Sequence, residues 1–239
     1  MIDVFYLTYH DDYSDNNLNR ILSKVGKNQR VINTADVEGV YEAHMACAEQ
    51  SSTENFYVVD GDAWIIDDFN FSYVPSDKID VYPSVPQTQC THVWRALNPA
   101  TGELAGYGGV KLFNRKSFFV ESTTKIVDVT TGVAKLGFPY YRIDIPANET
   151  RFANTPFNAW KGAFRECTKL ASGVATDDIE KRLERWKYPL PINYHELISI
   201  GATMGIEYGK KYINSPSDLQ RINNFDWLNK IYLDIYNES

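Results

Sequence analysis

The sequence predicts an α/β fold: a mixed, mainly parallel sheet flanked by helices, with a helical carboxyl-terminal extension. Short apolar, β-rich runs alternate with segments of helical period through the first quarter of the chain, the pattern of a doubly wound sheet. Polar residues gather where those apolar runs stop, and from about residue 158 helical periods dominate.

The chain opens with Val4-Phe5-Tyr6-Leu7-Thr8-Tyr9, a strand that runs into His10-Asp11-Asp12. Leu18, Ile21, Leu22 and Val25 follow at helical spacing, then Arg30 to Asn33 as a second short strand. Tyr41 to Gln50, rich in Ala, Glu and Met, predicts a helix leading into Phe56–Val59. The resulting order is β-α-β-α-β. Between Tyr73 and Gln89 three prolines, Pro75, Pro83 and Pro86, interrupt any period. Val93 to Pro99, a turn at Thr101-Gly102 and Gly106 to Phe113 read as a hairpin. Tyr141 to Ile145 alternates as a strand with Arg142 and Asp144 on one face. Asn158–Leu170, Thr176–Trp186 and Leu219–Tyr236 are predicted helices, and no internal repeat or low-complexity segment interrupts them.

With 239 residues, 44% of them hydrophobic, the chain has enough apolar surface for one large domain or a domain with an appendage. No window approaches the roughly 18 consecutive apolar residues that a membrane span requires. Asp3 and Asp11 stand where a signal peptide would carry Lys or Arg, so the cytoplasm is the expected compartment. Cys47, Cys90 and Cys167 are scattered, which argues against a disulfide framework or a structural zinc site. The formal charge is −7, and residues 1–120 hold 9 Lys and Arg against 16 Asp and Glu. Net charge therefore does not steer the chain to nucleic acid, and a polyanion partner must meet a local basic face.

In sheets of this class ligands bind beyond the carboxyl ends of the strands. Thr8, Tyr9, Asp60 and Asp62 occupy such positions. Asp60-Gly61-Asp62 ends an apolar run, yet 18 Asp in 239 residues produce about one Asp-x-Asp pair by chance. One reading is a turn whose Asp side chains bond their own backbone. Another is a site in which Gly61 turns the chain so that one carboxylate meets a divalent cation and the other a ribose or a metal-bound water.

Strand-helix-strand units that end in Asp-x-Asp after an Ala-rich helix resemble the GT-A glycosyltransferases. Val93-Trp94-Arg95-Ala96-Leu97-Asn98-Pro99, Gly106-Tyr107-Gly108-Gly109-Val110-Lys111-Leu112-Phe113 and the block Phe152 to Leu170 are similar to a phage-encoded group of GT-A-like enzymes. That group is related to the glucosyltransferase that completes base J and glycosylates hydroxymethylated pyrimidines in DNA. The likeness covers roughly residues 1–175 as a catalytic domain, with 176–239 as a helical extension packed on it.

The resemblance implies that Asp60 and Asp62 hold Mn²⁺ or Mg²⁺ and a diphosphate, and that Thr8 and Tyr9 hold the uridine of a UDP-sugar. It also implies a DNA partner containing 5-hydroxymethylcytosine or 5-hydroxymethyluracil, a phage protein working in its host's cytoplasm, and neither a membrane nor an obligate protein partner. Tyr41, Glu42 and His44 face the nucleotide or simply pack their helix. Gly108 and Gly109 let the backbone approach the sugar or the acceptor, or bend a strand. His195 is a further metal ligand or a helix-start histidine.

Transfer with inversion requires a base, for which Asp144, Glu149 and Glu166 are the candidates. On the acceptor side Trp94, Tyr107 and Trp160 are possible wedges against a flipped base, with core packing as the alternative for each. Arg95 lies in the same matched block as Trp94. Lys161, Arg165 and Lys169 repeat at helical spacing, opposite the apolar stripe of Trp160 and Phe164, and suit phosphate or a solvated face. A glycan or small-molecule acceptor, and a nucleotide-sugar-binding module without turnover, are the other functions this pattern admits.

Overall fold

A computed structural model describes residues 1–9, 14–121, 126–174 and 178–237. His10, Asp11, Asp12 and Thr176 lie outside the described residues. The chain divides into two compact units. Met1–Asn98, Glu103–Thr123 and Gly132–Arg151 form the first; Pro99–Gly102, Thr124–Thr131 and Phe152–Ser239 form the second. The division expected at residue 175 falls within the second unit.

The first unit begins in the expected order: β1 (Asp3–Thr8), α1 (Ser14–Leu22), β2 (Val31–Ala35), α2 (Val40–Gln50) and β3 (Asn55–Val59). It continues with β4 (Ala63–Ile65), β5 (Thr91–Asn98), β6 (Glu103–Asn114) and β7 (Tyr140–Thr150), while α3 (Val129–Lys135) straddles the division. The seven strands form one sheet of order β2-β1-β3-β6-β5-β7-β4. β1, β2, β3, β5 and β7 run one way and β4 and β6 the other, a mixed α/β sheet flanked by helices and compatible with a Rossmann-like fold.

Side-chain alternation sends α1 and α2 to opposite faces of that sheet. Val4 and Tyr6 of β1, Tyr57 and Val59 of β3, and Val110 and Leu112 of β6 build one apolar face, which Leu18 and Ile21 of α1 cover. The other face carries Phe5, Phe56 and Phe113, and there the His44 ring of α2 stands edge-on to Phe113 at 5.5 Å. The connections after β1 and β2 therefore depart to opposite sides. Adjacent parallel strands with that divergence open a crevice at their carboxyl ends.

The proline-interrupted stretch is fastened to the sheet through His92. Its Nε2 donates to the Gln87 carbonyl at 2.7 Å, so its Nδ1 accepts from the Tyr73 hydroxyl at 3.1 Å. Burial favours that neutral ring and pushes its pKa down to about 4.

The second unit contains α4 (Pro156–Ala171), α5 (Ile179–Lys187), α6 (His195–Lys211), α7 (Pro216–Leu219) and α8 (Phe225–Asn237). Thr155 caps α4 by accepting from the Asn158 amide, and Pro156 fits the first turn. The tail expected to be one helix from Leu219 breaks instead at a 3₁₀ turn, Gln220–Asn223. Asn224 then accepts from the Trp227 amide and starts α8.

Gly201, Gly205 and Gly209 of α6 repeat every four residues and face the carbonyls of Trp160, Phe164 and Thr168, which repeat likewise on α4. A Cβ at any of the three would press into helix backbone, so glycine sets how closely the two axes approach.

Gly205→Ala tests this packing. Alanine gains about 1 kcal/mol in helix propensity, whereas overpacking a fixed backbone costs about 1–3 kcal/mol. The clash is expected to win, lowering the urea midpoint at unchanged m-value. Gly26→Ala, where a Cβ would meet nothing within 4 Å, is the neutral control.

Candidate functional site

The site is built at the carboxyl ends of β1, β2 and β3. Val59 pairs with Val110, and one step further the Asp60 amide donates to the Gly109 carbonyl at 2.8 Å. The Gly109 amide returns a 3.3 Å bond to Asp60 Oδ2. Gly109 sits at φ +65, and a Cβ there would fall on the Asn148 carboxamide. Both conformation and space therefore require glycine at this point. Gly108, by contrast, has open space where its Cβ would be.

Asp60 is held by Lys111, two residues beyond Gly109 on β6, whose Nζ lies 2.7 and 2.6 Å from its two carboxylate oxygens. Lys111 faces Val58 on one neighbouring strand and Val93 on the other, and its side chain is 9% exposed against 35% for Asp60. The cation is buried and its anion lies at the surface of the site. Burial opposes ionisation of Asp60, but the Lys111 ammonium, the nearby His44 and the Gly109 amide outweigh it, so the carboxyl lies below its usual range. His44 donates from Nδ1 to the Val40 carbonyl at 2.7 Å, since a carbonyl can only accept.

The turn after Asp60 is pinned through its carbonyls. Ala63 N–H donates to the Asp60 carbonyl at 3.0 Å, and Arg151 N–H to that of Asp62 at 2.7 Å. The Gly61 carbonyl accepts both the Tyr6 hydroxyl at 3.0 Å and Asn17 Nδ2 at 2.7 Å. Three side chains that carry no catalytic signature, Tyr6, Asn17 and Lys111, fix the motif.

Thr8 is buried, and its hydroxyl donates to Asn33 Oδ1 at 3.1 Å, joining the ends of β1 and β2. Asp36 N–H continues that ladder to the Thr8 carbonyl at 2.9 Å. Tyr9 follows, partly exposed. Tyr41 is half-buried against Phe118, with ring centroids 5.9 Å apart, and Glu42 is exposed. Among the described residues no three His, Cys, Asp or Glu side chains converge as a cation cage. A magnesium-type site supplies few protein carboxylates and draws its other ligands from water and phosphate, so Asp60 and Asp62 suit that donor set.

Of the residues expected at the acceptor side, Trp94 is 2% exposed and packs on Tyr57, Phe69 and Tyr73. It supports the sheet and does not face a base. The Tyr107 side chain lies outside the described residues. Arg95 pairs with Asp144 and donates to the Leu104 carbonyl at 2.8 Å. Glu149 is 3.2 Å from Arg151, whose guanidinium also covers the Trp64 ring at 4.2 Å.

The remaining expected residues belong to the second unit. Trp160 is fully buried there. Lys161 lies 4.3 Å above the Phe225 ring, and Arg165 donates to the Ile222 carbonyl and to Asn223. Lys169 bonds Glu166 at 2.8 Å and Asp128 at 3.4 Å. The basic stripe is thus engaged by its own unit, and the phosphate-binding face that its spacing suggested is occupied by internal partners. Glu166 is also held by Arg182 at 2.5 Å; burial opposes its charge, but Lys169 and Arg182 prevail and keep its carboxyl below the usual range. A carboxylate clamped by two cations is a weak base. His195 opens α6, exposed, with Nδ1 3.2 Å from the Ile192 carbonyl.

No protein-family model matches this sequence, and no curated protein matches it.

Lys111→Met tests the pin on Asp60. At pH 7 the variant should lose about 2 kcal/mol, between the values for an exposed and a fully buried pair. The lowered pKa of Asp60 means that its ionised form stabilises the fold above the usual carboxylate value, a gain that vanishes as pH falls through the folded value. Urea titrations should therefore show the gap between variant and wild type narrowing from pH 7 toward pH 3; a gap of constant size would refute the ion pair.

Proposed function

We propose that the first unit is the catalytic core of a metal-dependent glycosyltransferase. It moves a sugar from a nucleotide-sugar, a UDP-sugar as the resemblance implies, to the hydroxymethyl group of a modified pyrimidine in DNA. The observation that carries the reading is the Asp60-Gly61-Asp62 turn, pinned at the carboxyl end of β3 directly beside β1, where the connections that follow β1 and β2 diverge to opposite faces. Nucleotides bind open α/β sheets at such a divergence.

The two carboxylates take different parts in this proposal. Asp60, neutralised by Lys111, anchors the turn and faces the ribose side, whereas Asp62 is the ligand of Mn²⁺ or Mg²⁺. The cation, when bound, neutralises charge that develops on the departing diphosphate. Thr8 and Tyr9 border the nucleoside end of the crevice, and the Gly109 backbone keeps Asp60 in place from the neighbouring strand. Lys111 stabilises the anionic form of Asp60 without itself reaching solvent.

The engagement of Lys161, Arg165 and Lys169 by partners within their own unit supports, as a second reading, a glycan or small-molecule acceptor.

The test is incubation with duplexes containing 5-hydroxymethylcytosine, 5-hydroxymethyluracil or neither, a panel of UDP-sugars and Mn²⁺, read by nucleoside mass spectrometry. A hexose or pentose mass gain on a modified duplex is expected. Asp62→Ala should reduce it at least ~100-fold, about 2.7 kcal/mol of transition-state stabilisation. No gain on any modified duplex rejects the DNA acceptor, and undiminished transfer by Asp62→Ala rejects the metal ligand.

A further inference from the structure

The opposite end of the same sheet carries a second cleft that the proposed sugar transfer does not use. It has a volume of about 620 Å³ and is lined by Ser52, Thr53, Glu54, Arg115, Lys116 and Phe119. Glu54 precedes β3 and its carbonyl accepts the Arg115 amide at 2.7 Å, so the cleft lies where β3 begins and β6 ends. Asp60 lies beyond the other end of β3, roughly 20 Å away at 3.3 Å per residue.

Three features define what this cleft would take. The Arg115 Nε donates to the Ala48 carbonyl at 2.7 Å, which fixes the guanidinium plane; its two terminal nitrogens make no hydrogen bond to the described residues. That guanidinium stands 5.4 Å from the Phe119 ring, and Phe119 is 52% exposed. Lys116 extends beside it, 77% exposed, and meets only Glu54 at 3.2 Å, an exposed pair of the kind that exchanges readily. A planar cation with a free fork, a second cation and an uncovered aromatic face together match a phosphate joined to a flat ring.

We propose that this cleft binds a phosphorylated nucleoside, with Arg115 and Lys116 on the phosphate and the base on Phe119. Arginine presents paired donors to phosphate oxygens, and a ring already flanked by a guanidinium offers its exposed area to a stacked base. A free mononucleotide and one nucleotide of a strand share this chemistry. The site is independent of the metal turn, since it uses none of its residues.

Photo-crosslinking distinguishes the sources. The full chain is irradiated with 5-iodo-2′-deoxyuridine monophosphate or with a single-stranded oligodeoxynucleotide carrying 5-iodouracil, and adducts are mapped by peptide mass spectrometry. An adduct on Phe119 with both probes supports a mononucleotide site, and one with the oligonucleotide alone assigns the site to a strand. Arg115→Met and Lys116→Glu should each cut the yield at least tenfold; the second changes a side chain that is mostly solvent-exposed and leaves the fold intact. Failure of both probes to give an adduct at Phe119, or yields unchanged in both variants, overturns the proposal.

Discussion

The ion pair between Asp60 and Lys111 is the constraint around which the first unit is arranged. A lysine in the middle of β6, facing valines on both neighbouring strands, cannot remain charged there without an anion in reach. Asp60 supplies that anion from one residue past β3, and only in the observed register do the two meet. A one-residue slip of β6 would turn Lys111 into the face built from Val4, Tyr57 and Val110 and lose its partner. The pair thus ties strand register, the conformation of Gly109 and the placement of the Asp-x-Asp turn to one another. Because Lys111 is more buried than Asp60, the attraction draws the turn down onto the sheet edge while leaving the carboxylate at the surface.

The parts of the fold governed by local period were readable from sequence. Short apolar, β-rich runs at Val4 to Thr8 and Phe56 to Val59, the helical spacing of Leu18 and Ile21 and the Ala, Glu and Met content of Tyr41 to Gln50 announced β1, β3 and the helices. The hairpin of β5 and β6 followed from the turn at Thr101-Gly102, where Gly102 does adopt φ +67. β4 matches the reading of Asp60-Gly61-Asp62 as a turn between two strands, whereas the break in the tail was hidden because Asn223-Asn224 lies inside an otherwise helical pattern. The glycine ladder of α6 was a missed signal: Gly201, Gly205 and Gly209 at four-residue spacing mark close helix contact.

The candidate site was only half visible. Asp60, Asp62 and Thr8 stand where strand ends placed them, but Lys111, Tyr6 and Asn17 hold the turn through contacts 44 to 55 residues apart in sequence. Nothing in a window of ordinary length reports such pairings. Helical spacing of Lys161, Arg165 and Lys169 suggested a phosphate face, yet spacing says which residues share a side and not what covers it. Phe225, Ile222, Asp128 and Glu166 cover it here. Trp94 and Trp160 likewise resolve as core, which is where large aromatic side chains contribute most to stability. Arg115 and Phe119 went unremarked because a basic residue near an aromatic one is commonplace until exposure and bonding set them apart.

The central claim, that the turn after β3 gathers a divalent cation and a nucleotide diphosphate, is most directly tested by paramagnetic relaxation. Mn²⁺ is titrated into isotopically labelled protein in the presence of UDP, and the broadening of backbone amide signals is followed residue by residue. Broadening that begins at residues 8 and 9, 60 to 62 and 109 is the predicted result. Broadening that is uniform over the surface, or that begins elsewhere and leaves the Asp60–Asp62 amides sharp, would contradict it.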